Sequence, residues 1–293
     1  MAVFIWRLCA IKGSLAFLLG LLLAGCLSIP LPETRNRLAD ELANAQQWRR
    51  LPISAGEFEL LSYVPSTAQK SNSLTIYIEG DGLAWITGTQ ASSDPTPRDP
   101  LALRLALSHR GGGVAYLGRA CQFVGAEASK CASRYWTDAR FAPEVIEASN
   151  RAVDILKIRF GATRITLIGY SGGGAVAALV AARRSDVDTL VTIAGNLDHQ
   201  SWTTSQRIQP LSGSLNPVDR IDSLKRVQQW HFVGESDDNI TPELVYTFAN
   251  RFPESNRPTV IVKNGFDHVC CWVDAWPNLV PLFQGRTNFE REH

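Results

Sequence analysis

The sequence has almost no net charge and few residues that bind metals. Its 293 residues carry 29 Lys and Arg against 28 Asp and Glu, with only five His. A chain this close to neutrality gives no reason to expect nucleic acid as a partner. No group of His or Cys has the spacing of a metal site, so the sequence predicts no metal ligands.

Long apolar runs are also missing. The run nearest the N-terminus, residues 15–23, is interrupted by Gly20 and is too short to span a bilayer comfortably. Arg7 and Lys12 precede this run, so residues 1–25 are predicted to be a signal peptide. Cleavage would leave one domain-sized chain, ample for a full hydrophobic core.

The run ends in Leu23-Ala24-Gly25-Cys26, which resembles the lipobox of bacterial lipoproteins. The resemblance implies cleavage before Cys26 and attachment to a membrane through lipid on Cys26. Because Leu27 rather than Asp follows, the sorting rule of these lipoproteins implies the periplasmic side of the outer membrane in a Gram-negative cell. An uncleaved anchor helix and a plain secretory signal are the alternatives.

Four cysteines remain besides Cys26 and the Cys9 of the leader. An even number in an exported protein predicts disulfides. Cys121 and Cys131 would close a short loop and are the favoured pair. Cys270 and Cys271 are adjacent, and a bridge between neighbours needs a distorted turn, so their pairing stays open.

Apolar strands alternate with helical segments along most of the chain, which predicts an α/β fold with a mostly parallel sheet covered on both faces. Residues 26–50 are predicted to form a tether and one amphipathic helix, and residues 51–293 a single domain. Residues 56–64 are expected at the antiparallel edge of the sheet. Asp99 is expected to cap a helix over 101–109. Residues 195–222 have no clear period and are a candidate lid.

The sequence Gly169-Tyr170-Ser171-Gly172-Gly173 fits the pattern G-x-S-x-G. An apolar, β-branched run precedes it at 165–168, and small helix-forming residues follow at 175–182. A serine on a sharp turn between a strand and a helix exposes its hydroxyl, so Ser171 is predicted to be a nucleophile. The alternative is a plain Gly-rich turn.

A serine nucleophile needs a base, and parallel sheets place their sites beyond the carboxyl ends of the strands. Among the five histidines, His268 follows the last predicted strand in a Gly-containing loop and is the first candidate. His199 follows an earlier strand and is the second.

The base in turn needs an orienting acid. The loop after the strand that ends at Val233 offers Asp237, three residues past Gly234, as the first candidate. Its neighbour Asp238 and the earlier Asp198 are the alternatives.

The order Ser171, Asp237, His268 resembles that of the α/β-hydrolase superfamily. The resemblance covers about residues 56–290 and is closest to bacterial lipoprotein hydrolases. It implies an acyl-enzyme mechanism without a metal or organic cofactor.

The resemblance also implies an oxyanion hole made by the amide of Gly172 and an amide of the loop after Ile78. Asp81 is the first candidate for the second donor and Gly82 the next. Many members carry His-Gly in this loop, whereas this chain has Glu79-Gly80.

Aromatic residues on the same loops are candidates for lining a substrate pocket, although each could equally pack in the core: Trp85, Tyr135, Trp136, Tyr170 and Trp202. The sequence thus predicts an enzyme that hydrolyses a small-molecule carboxylic ester. A peptidase or thioesterase of the same fold is one alternative. The other is a catalytically silent envelope lipoprotein on the hydrolase scaffold.

Overall fold

The computed structural model describes residues 29–67, 70–125 and 130–284. The described residues from Pro32 to Gln284 form one compact unit. The predicted N-terminal helix therefore belongs to the same unit as the sheet. The predicted signal peptide and the lipidation residue Cys26 lie outside the described residues. In the described ranges, no helix has both the length and the apolar character needed to cross a membrane.

A mostly parallel sheet forms the centre of this unit. In chain order its strands are β1 (Trp48–Ala55), β2 (Phe58–Pro65), β3 (Ser73–Ile78), β4 (Gly113–Leu117), β5 (Arg164–Tyr170), β6 (Val187–Ile193), β7 (Gln228–Gly234) and β8 (Thr259–Lys263). They lie side by side in the order β1-β2-β4-β3-β5-β6-β7-β8. The strands β4, β3, β5, β6, β7 and β8 pair in parallel, whereas β2 pairs antiparallel with both β1 and β4. The predicted α/β architecture is confirmed.

Helices cover both faces of the sheet. They are α1 (Pro32–Ala45), α2 (Leu101–Ser108), α3 (Pro143–Phe160), α4 (Gly172–Ala181), α5 (His199–Gln206), α6 (Ile221–Leu224), α7 (Pro242–Ala249) and α8 (Trp272–Gln284). One hydrophobic cluster joins α3, α4 and α7 to the sheet, and a second joins α1, α2 and α8 to its other face. On β5, Leu167 packs in the first cluster and its neighbour Ile168 in the second, as the period of a strand requires.

The edge of the sheet differs from the sequence-based expectation. The predicted edge strand is β2, but β1 lies outside it and forms the edge. Strand β1 could not be predicted because its sequence does not alternate between apolar and polar residues. Its exposed residues include Arg49, Arg50 and Pro52. The turn between β1 and β2 contains Gly56 at φ +77°, a conformation that favours glycine.

The start of α2 also differs. Asp99 does not cap this helix: Pro100 is at the N-cap position, no side chain caps the helix, and the Asp99 carboxylate accepts a hydrogen bond from Nε of Arg104 at 2.5 Å. The amide of Ala102 in the first turn donates instead to Oε1 of Glu79 at 3.4 Å. The acid that stabilises the helix N-terminus therefore comes from the end of β3 and not from the preceding residues.

The candidate lid contains α5 and α6. Helix α5 escapes sequence analysis because polar residues dominate it, yet it buries Trp202 and Thr203. Asp198, an alternative catalytic acid, is the N-cap of α5 and accepts hydrogen bonds from the amides of Gln200 and Ser201.

Candidate active site

Ser171 lies on a sharp turn between β5 and α4, as the sequence predicts. Its backbone has φ +52° and ψ −121°, a conformation that a non-glycine residue adopts only when its surroundings enforce it. The Ser171 amide donates to Ile193 O at 2.9 Å, and its carbonyl accepts from the amides of Gly174 and Asn196. A Cβ on Gly173 would lie 2.3 Å from Glu79 O, so only glycine lets α4 approach the end of β3 this closely.

A continuous hydrogen-bonded chain leads away from this serine. Nε2 of His268 lies 3.1 Å from Oγ of Ser171, and Nδ1 of His268 lies 2.9 Å from Oδ2 of Asp237. His268 is in the loop after β8 and Asp237 in the loop after β7, at neighbouring carboxyl ends of strands. In the sequence, His268 is 97 positions from Ser171 and 31 positions from Asp237, and the fold brings the three side chains together.

The carboxylate of Asp237 is held firmly. Its side chain is fully buried. Oδ1 accepts hydrogen bonds from the amides of Asn239 at 3.0 Å and Ile240 at 2.8 Å, which leaves Oδ2 for His268. The neighbouring candidate Asp238 is exposed, and His268 pairs with Asp237.

Sequence reasoning missed a fourth residue of this arrangement, Asn239. Its Nδ2 lies 3.2 Å from Nε2 of His268, and its Oδ1 accepts from Nε1 of Trp202 at 3.0 Å. An indole N–H can only donate, so the amide oxygen must face Trp202 and the amide nitrogen must face His268. Nε2 then acts as an acceptor, which places the imidazole proton on Nδ1, next to Asp237. This is the tautomer that can take a proton from Ser171.

The other candidate base, His199, begins α5. It is buried, and its ring packs against Phe141 at 6.2 Å between centroids. The imidazole that hydrogen-bonds the Ser171 hydroxyl is that of His268.

The loop after β3 contains amide groups that could bind an oxyanion. The Gly80 amide donates to Glu79 Oε1 at 2.9 Å, and the Leu83 amide donates to Pro95 O at 3.0 Å. Among the described residues, no hydrogen bond occupies the amides between them, those of Asp81 and Gly82, or the Gly172 amide at the start of α4. The amides proposed from the sequence are therefore free to bind a ligand.

The Asp81 carboxylate lies against the backbone of Gly172 and is bound by two arginines. Its Oδ1 accepts from Nη1 of Arg119, and its Oδ2 accepts from Nη1 of Arg140 at 2.7 Å. Both guanidinium groups are 5% exposed. Burial would raise the pKa of Asp81, but the positive charges of Arg140 and Arg119 outweigh it and lower that pKa. The two cations exceed the one anion, so this trio adds positive charge beside the candidate oxyanion site.

Glu79 occupies the position where many relatives of the predicted family carry histidine. The side chain is buried, and its Oε1 accepts from the amides of Gly80 and Ala102. Burial raises the pKa of Glu79 from 4.5 to about 7, although these backbone hydrogen bonds act in the opposite direction. Glu79 therefore links the candidate oxyanion loop to the N-terminus of α2.

Two cavities open beside the triad. The first, called here the serine cavity, has a volume of about 510 Å³, and its lining includes Tyr170, Ser171, Asn239 and His268. The second, called the apolar cavity, has about 550 Å³, and its lining includes Ala84, Trp202, Ile208, Pro210 and Leu211. Asp81, Gly82 and Trp85 line both cavities.

Three of the aromatic pocket candidates line these cavities: Trp85, Tyr170 and Trp202. Tyr170 also donates its hydroxyl to His268 O at 3.2 Å. The other two candidates line neither cavity. Tyr135 packs edge-on against Phe58, and Trp136 donates to Ser92 O at 3.0 Å.

Residues 82–99, called here the wall, contribute lining to both cavities, and α1 holds this wall in place. The buried Arg35 of α1 donates through Nη1 to the carbonyls of Asp94 and Thr96, and its Nη2 lies 3.4 Å from Asp94 Oδ1. Gly82, at φ +64°, starts the wall, where a Cβ would meet Pro95 O at 2.1 Å.

The predicted disulfide supports the same region. Cys121 and Cys131 are bonded, with 5.4 Å between their Cα atoms. The bridge fixes the loop from which Gln122 donates to Gly80 O at 2.9 Å and Arg119 reaches Asp81. The sulfurs of Cys270 and Cys271, left open by the sequence, are also paired.

The sequence matches no family model and no curated protein. Several solved structures resemble the chain. Est1E from Butyrivibrio proteoclasticus has 15% identity and a TM-score of 0.57, over 81% of this chain and 98% of that one. The Pyrococcus furiosus esterase Pf2001 has 16% identity and a TM-score of 0.59, over 84% and 94%.

A third structure, XC6422 from Xanthomonas campestris, is described as an α/β serine hydrolase without a lid. It has 14% identity and a TM-score of 0.52, over 81% of this chain and 95% of that one. At such identities the likeness concerns the arrangement of strands and helices and not a shared substrate. With its mostly parallel sheet, covered faces and these neighbours, the chain has the α/β-hydrolase fold.

Proposed function

We propose that this protein is a serine hydrolase that cleaves carboxylic esters through an acyl-enzyme. The observation that carries the proposal is the chain from Ser171 through His268 to Asp237, with both hydrogen bonds at 3.1 Å or less. The structural neighbours named as esterases support it, since they share the fold.

In the first half of the reaction, Oγ of Ser171 attacks the ester carbonyl carbon and passes its proton to Nε2 of His268. The amides of Gly172 and of Asp81 or Gly82 bind the oxyanion, and the ionised Asp237 stabilises the imidazolium. The bond to the alcohol oxygen then breaks, and His268 protonates the leaving alcohol. In the second half, water attacks the acyl carbon and passes a proton to Nε2 of His268. The bond from the acyl carbon to Oγ of Ser171 then breaks, His268 returns the proton to Oγ, and the carboxylic acid is released.

Labelling by a fluorophosphonate probe tests the reaction class. Wild-type protein is expected to be labelled and to release acid from short-chain esters. Ser171→Ala should lose labelling and about 10⁴-fold or more of the turnover. Ser255→Ala is the control, since Ser255 is exposed and its hydroxyl contacts Asn256. A folded wild-type protein that is never labelled would contradict the proposal and favour a silent scaffold.

Measuring the release of acid also distinguishes an esterase from a thioesterase or a peptidase. Thioesters and peptides of matched acyl group serve as competing substrates. If kcat/KM were higher for a thioester or a peptide than for the ester, that compound class would become the proposed substrate, and the roles of the triad would be unchanged.

We further propose that lipid on Cys26 anchors the protein to the periplasmic side of the outer membrane in a Gram-negative host. The sequence Leu23-Ala24-Gly25-Cys26 supports this proposal. Labelled palmitate should enter the wild type and Cys9→Ser, but not Cys26→Ser. Leu27→Asp should move the protein to the inner membrane on a density gradient. Palmitate in the Cys26→Ser protein would overturn the proposal.

A further inference from the structure

We propose that the substrate is an ester of an apolar acyl group with a polar alcohol, the acyl group lying in the apolar cavity and the alcohol in the serine cavity. This inference rests on the proposed ester hydrolysis and assigns each half of the substrate to one cavity.

The position of the base decides which half goes where. The leaving alcohol must accept its proton from Nε2 of His268, so the alcohol has to lie within hydrogen-bond reach of that nitrogen. His268 and Asn239 line the serine cavity, and neither lines the apolar cavity. The alcohol therefore occupies the serine cavity.

The acyl group must leave the carbonyl carbon in another direction. Asp81 and Gly82, whose amides are unoccupied, line both cavities and stand at their border. A carbonyl oxygen bound there lies between the cavities, with the alcohol on the His268 side. The acyl chain then extends past Gly82 into the apolar cavity.

The lining of the apolar cavity suits a hydrocarbon or an aromatic ring. Trp85, Trp202, Ile208 and Leu211 contribute large apolar surfaces to it. Of its charged members, Arg140 is paired with Asp81, and the exposed Asp138 is the third. The guanidinium of Arg140 lies over the ring of Trp202 at 5.8 Å. The volume of about 550 Å³ falls in the range of small-ligand sites, roughly 300–1,000 Å³.

The lining of the serine cavity suits a group that makes hydrogen bonds. It includes the charged residues Arg98 and Asp99 and the amide of Asn239. Arg98 and Asp99 are exposed, and they can form hydrogen bonds with an alcohol that carries further hydroxyl groups, such as glycerol or a sugar, but not with the chain of an alkyl alcohol.

A substitution at Gly88 tests the assignment without disturbing packing. Gly88 lines the apolar cavity, and a Cβ built there meets no atom within 4 Å. Gly88→Trp would therefore add a large ring to this cavity only. Gly125→Trp is the matched control, because Gly125 is also exposed with open space at its Cβ and lines neither cavity.

Acid release is followed for glycerol esters of acetate, butyrate and octanoate, and for the acetate ester of hexanol. In the wild type, kcat/KM is expected to rise about fourfold for each methylene added to the acyl chain in the apolar cavity. It should also be higher for glyceryl than for hexyl acetate. Gly88→Trp should lower the octanoyl-to-acetyl ratio at least about tenfold and leave the glyceryl-to-hexyl ratio as in Gly125→Trp.

A Gly88→Trp protein that changes the alcohol ratio and keeps the acyl ratio would overturn the assignment, and so would a wild type indifferent to acyl length. Either result still leaves ester hydrolysis in place. The absence of any acid release from a folded, unlabelled wild type is instead the failure of the proposed function itself.

Discussion

The side-chain amide of Asn239 donates to Nε2 of His268, the same nitrogen that faces the hydroxyl of Ser171. Its own oxygen is held by Trp202, so the amide cannot turn over without losing that hydrogen bond. Asn239 is thus a positioning residue: it keeps Nε2 of His268 as an acceptor in the resting enzyme. It also connects His268 to Trp202, which lines the apolar cavity.

Asn239→Asp should shift the pH dependence of activity. An oxygen in place of Nδ2 would favour the protonated imidazole, so the base would be free only at higher pH. We expect the rising limb of kcat/KM against pH to move up by about one unit. Asn250→Asp, at the exposed end of α7, is the control. Coincident profiles for the two variants would show that Asn239 does not act through His268.

Replacing the acid should separate Asp237 from its neighbour. Asp237→Asn removes the acceptor for Nδ1–H and favours the wrong tautomer of His268, which should lower kcat by roughly 10³- to 10⁴-fold. Asp238→Asn should stay within about twofold of the wild type, since Asp238 is exposed and surface changes of this kind cost little. Equal losses in both variants, with both proteins folded, would contradict this assignment.

Glu79 should make stability depend on pH. Its pKa of about 7 in the folded protein exceeds its ordinary value of 4.5. As the pH rises, this carboxyl group therefore ionises at a lower pH in the unfolded chain than in the folded protein. Glu79 contributes most to the free energy of unfolding below about pH 4.5, where it is protonated in both states. That contribution is lost as the pH rises through 7. Glu79→Gln keeps an acceptor oxygen for the Gly80 amide but cannot ionise.

The stability of Glu79→Gln relative to wild type should consequently increase between pH 5 and about pH 8, by up to about 3 kcal/mol. Urea unfolding at several pH values measures the difference. Glu59→Gln, on the exposed side of β2, should show no such trend. A constant difference between Glu79→Gln and wild type across this range would be incompatible with a buried, titrating Glu79.

Removing the carboxylate of Asp81 should destabilise the fold. Asp81→Asn leaves the buried guanidinium groups of Arg119 and Arg140 without their anion, a loss of about 3 to 5 kcal/mol in the free energy of unfolding. The control is Glu147→Gln, which breaks the exposed pair with Arg151 and should cost less than about 1 kcal/mol. Similar unfolding curves for the two variants would mean that the arginines find other partners.

The sequence was a good guide where a local rule applies. Ser171, Asp237 and His268 each follow a strand, and parallel strands bring such residues to one edge of the sheet. The strand and helix around Ser171 could be predicted because an apolar, β-branched run precedes the serine and small helix-forming residues follow it. Helix α3 was equally clear, with Pro143 at its start and Gly161 at φ +70° after its end.

The rest depends on contacts between distant loops. Arg119 and Arg140 come together at Asp81, and Arg119 also donates to the carbonyl of Arg140 at 2.7 Å, but nothing in their sequence neighbourhoods marks them. A signal did exist, because an acid beside an oxyanion site needs a cation to compensate its negative charge. Asn239 resembles an ordinary turn residue, and only the packing of Trp202 shows which way its amide faces.

The attachment of Arg35 to the 82–99 wall bears on where this protein can be cut. A sequence-based boundary at residue 51 would keep the triad and most of the sheet but remove α1 and its hydrogen bonds to Asp94 and Thr96. The wall would then lose its hydrogen bonds to the buried Arg35, while Ser171, Asp237 and His268 would keep their hydrogen bonds to one another. A protein shortened in this way for expression would be expected to keep its reactive serine and lose its discrimination between substrates. We therefore expect that a shorter part of this chain is enough for a reactive serine than for selection between substrates.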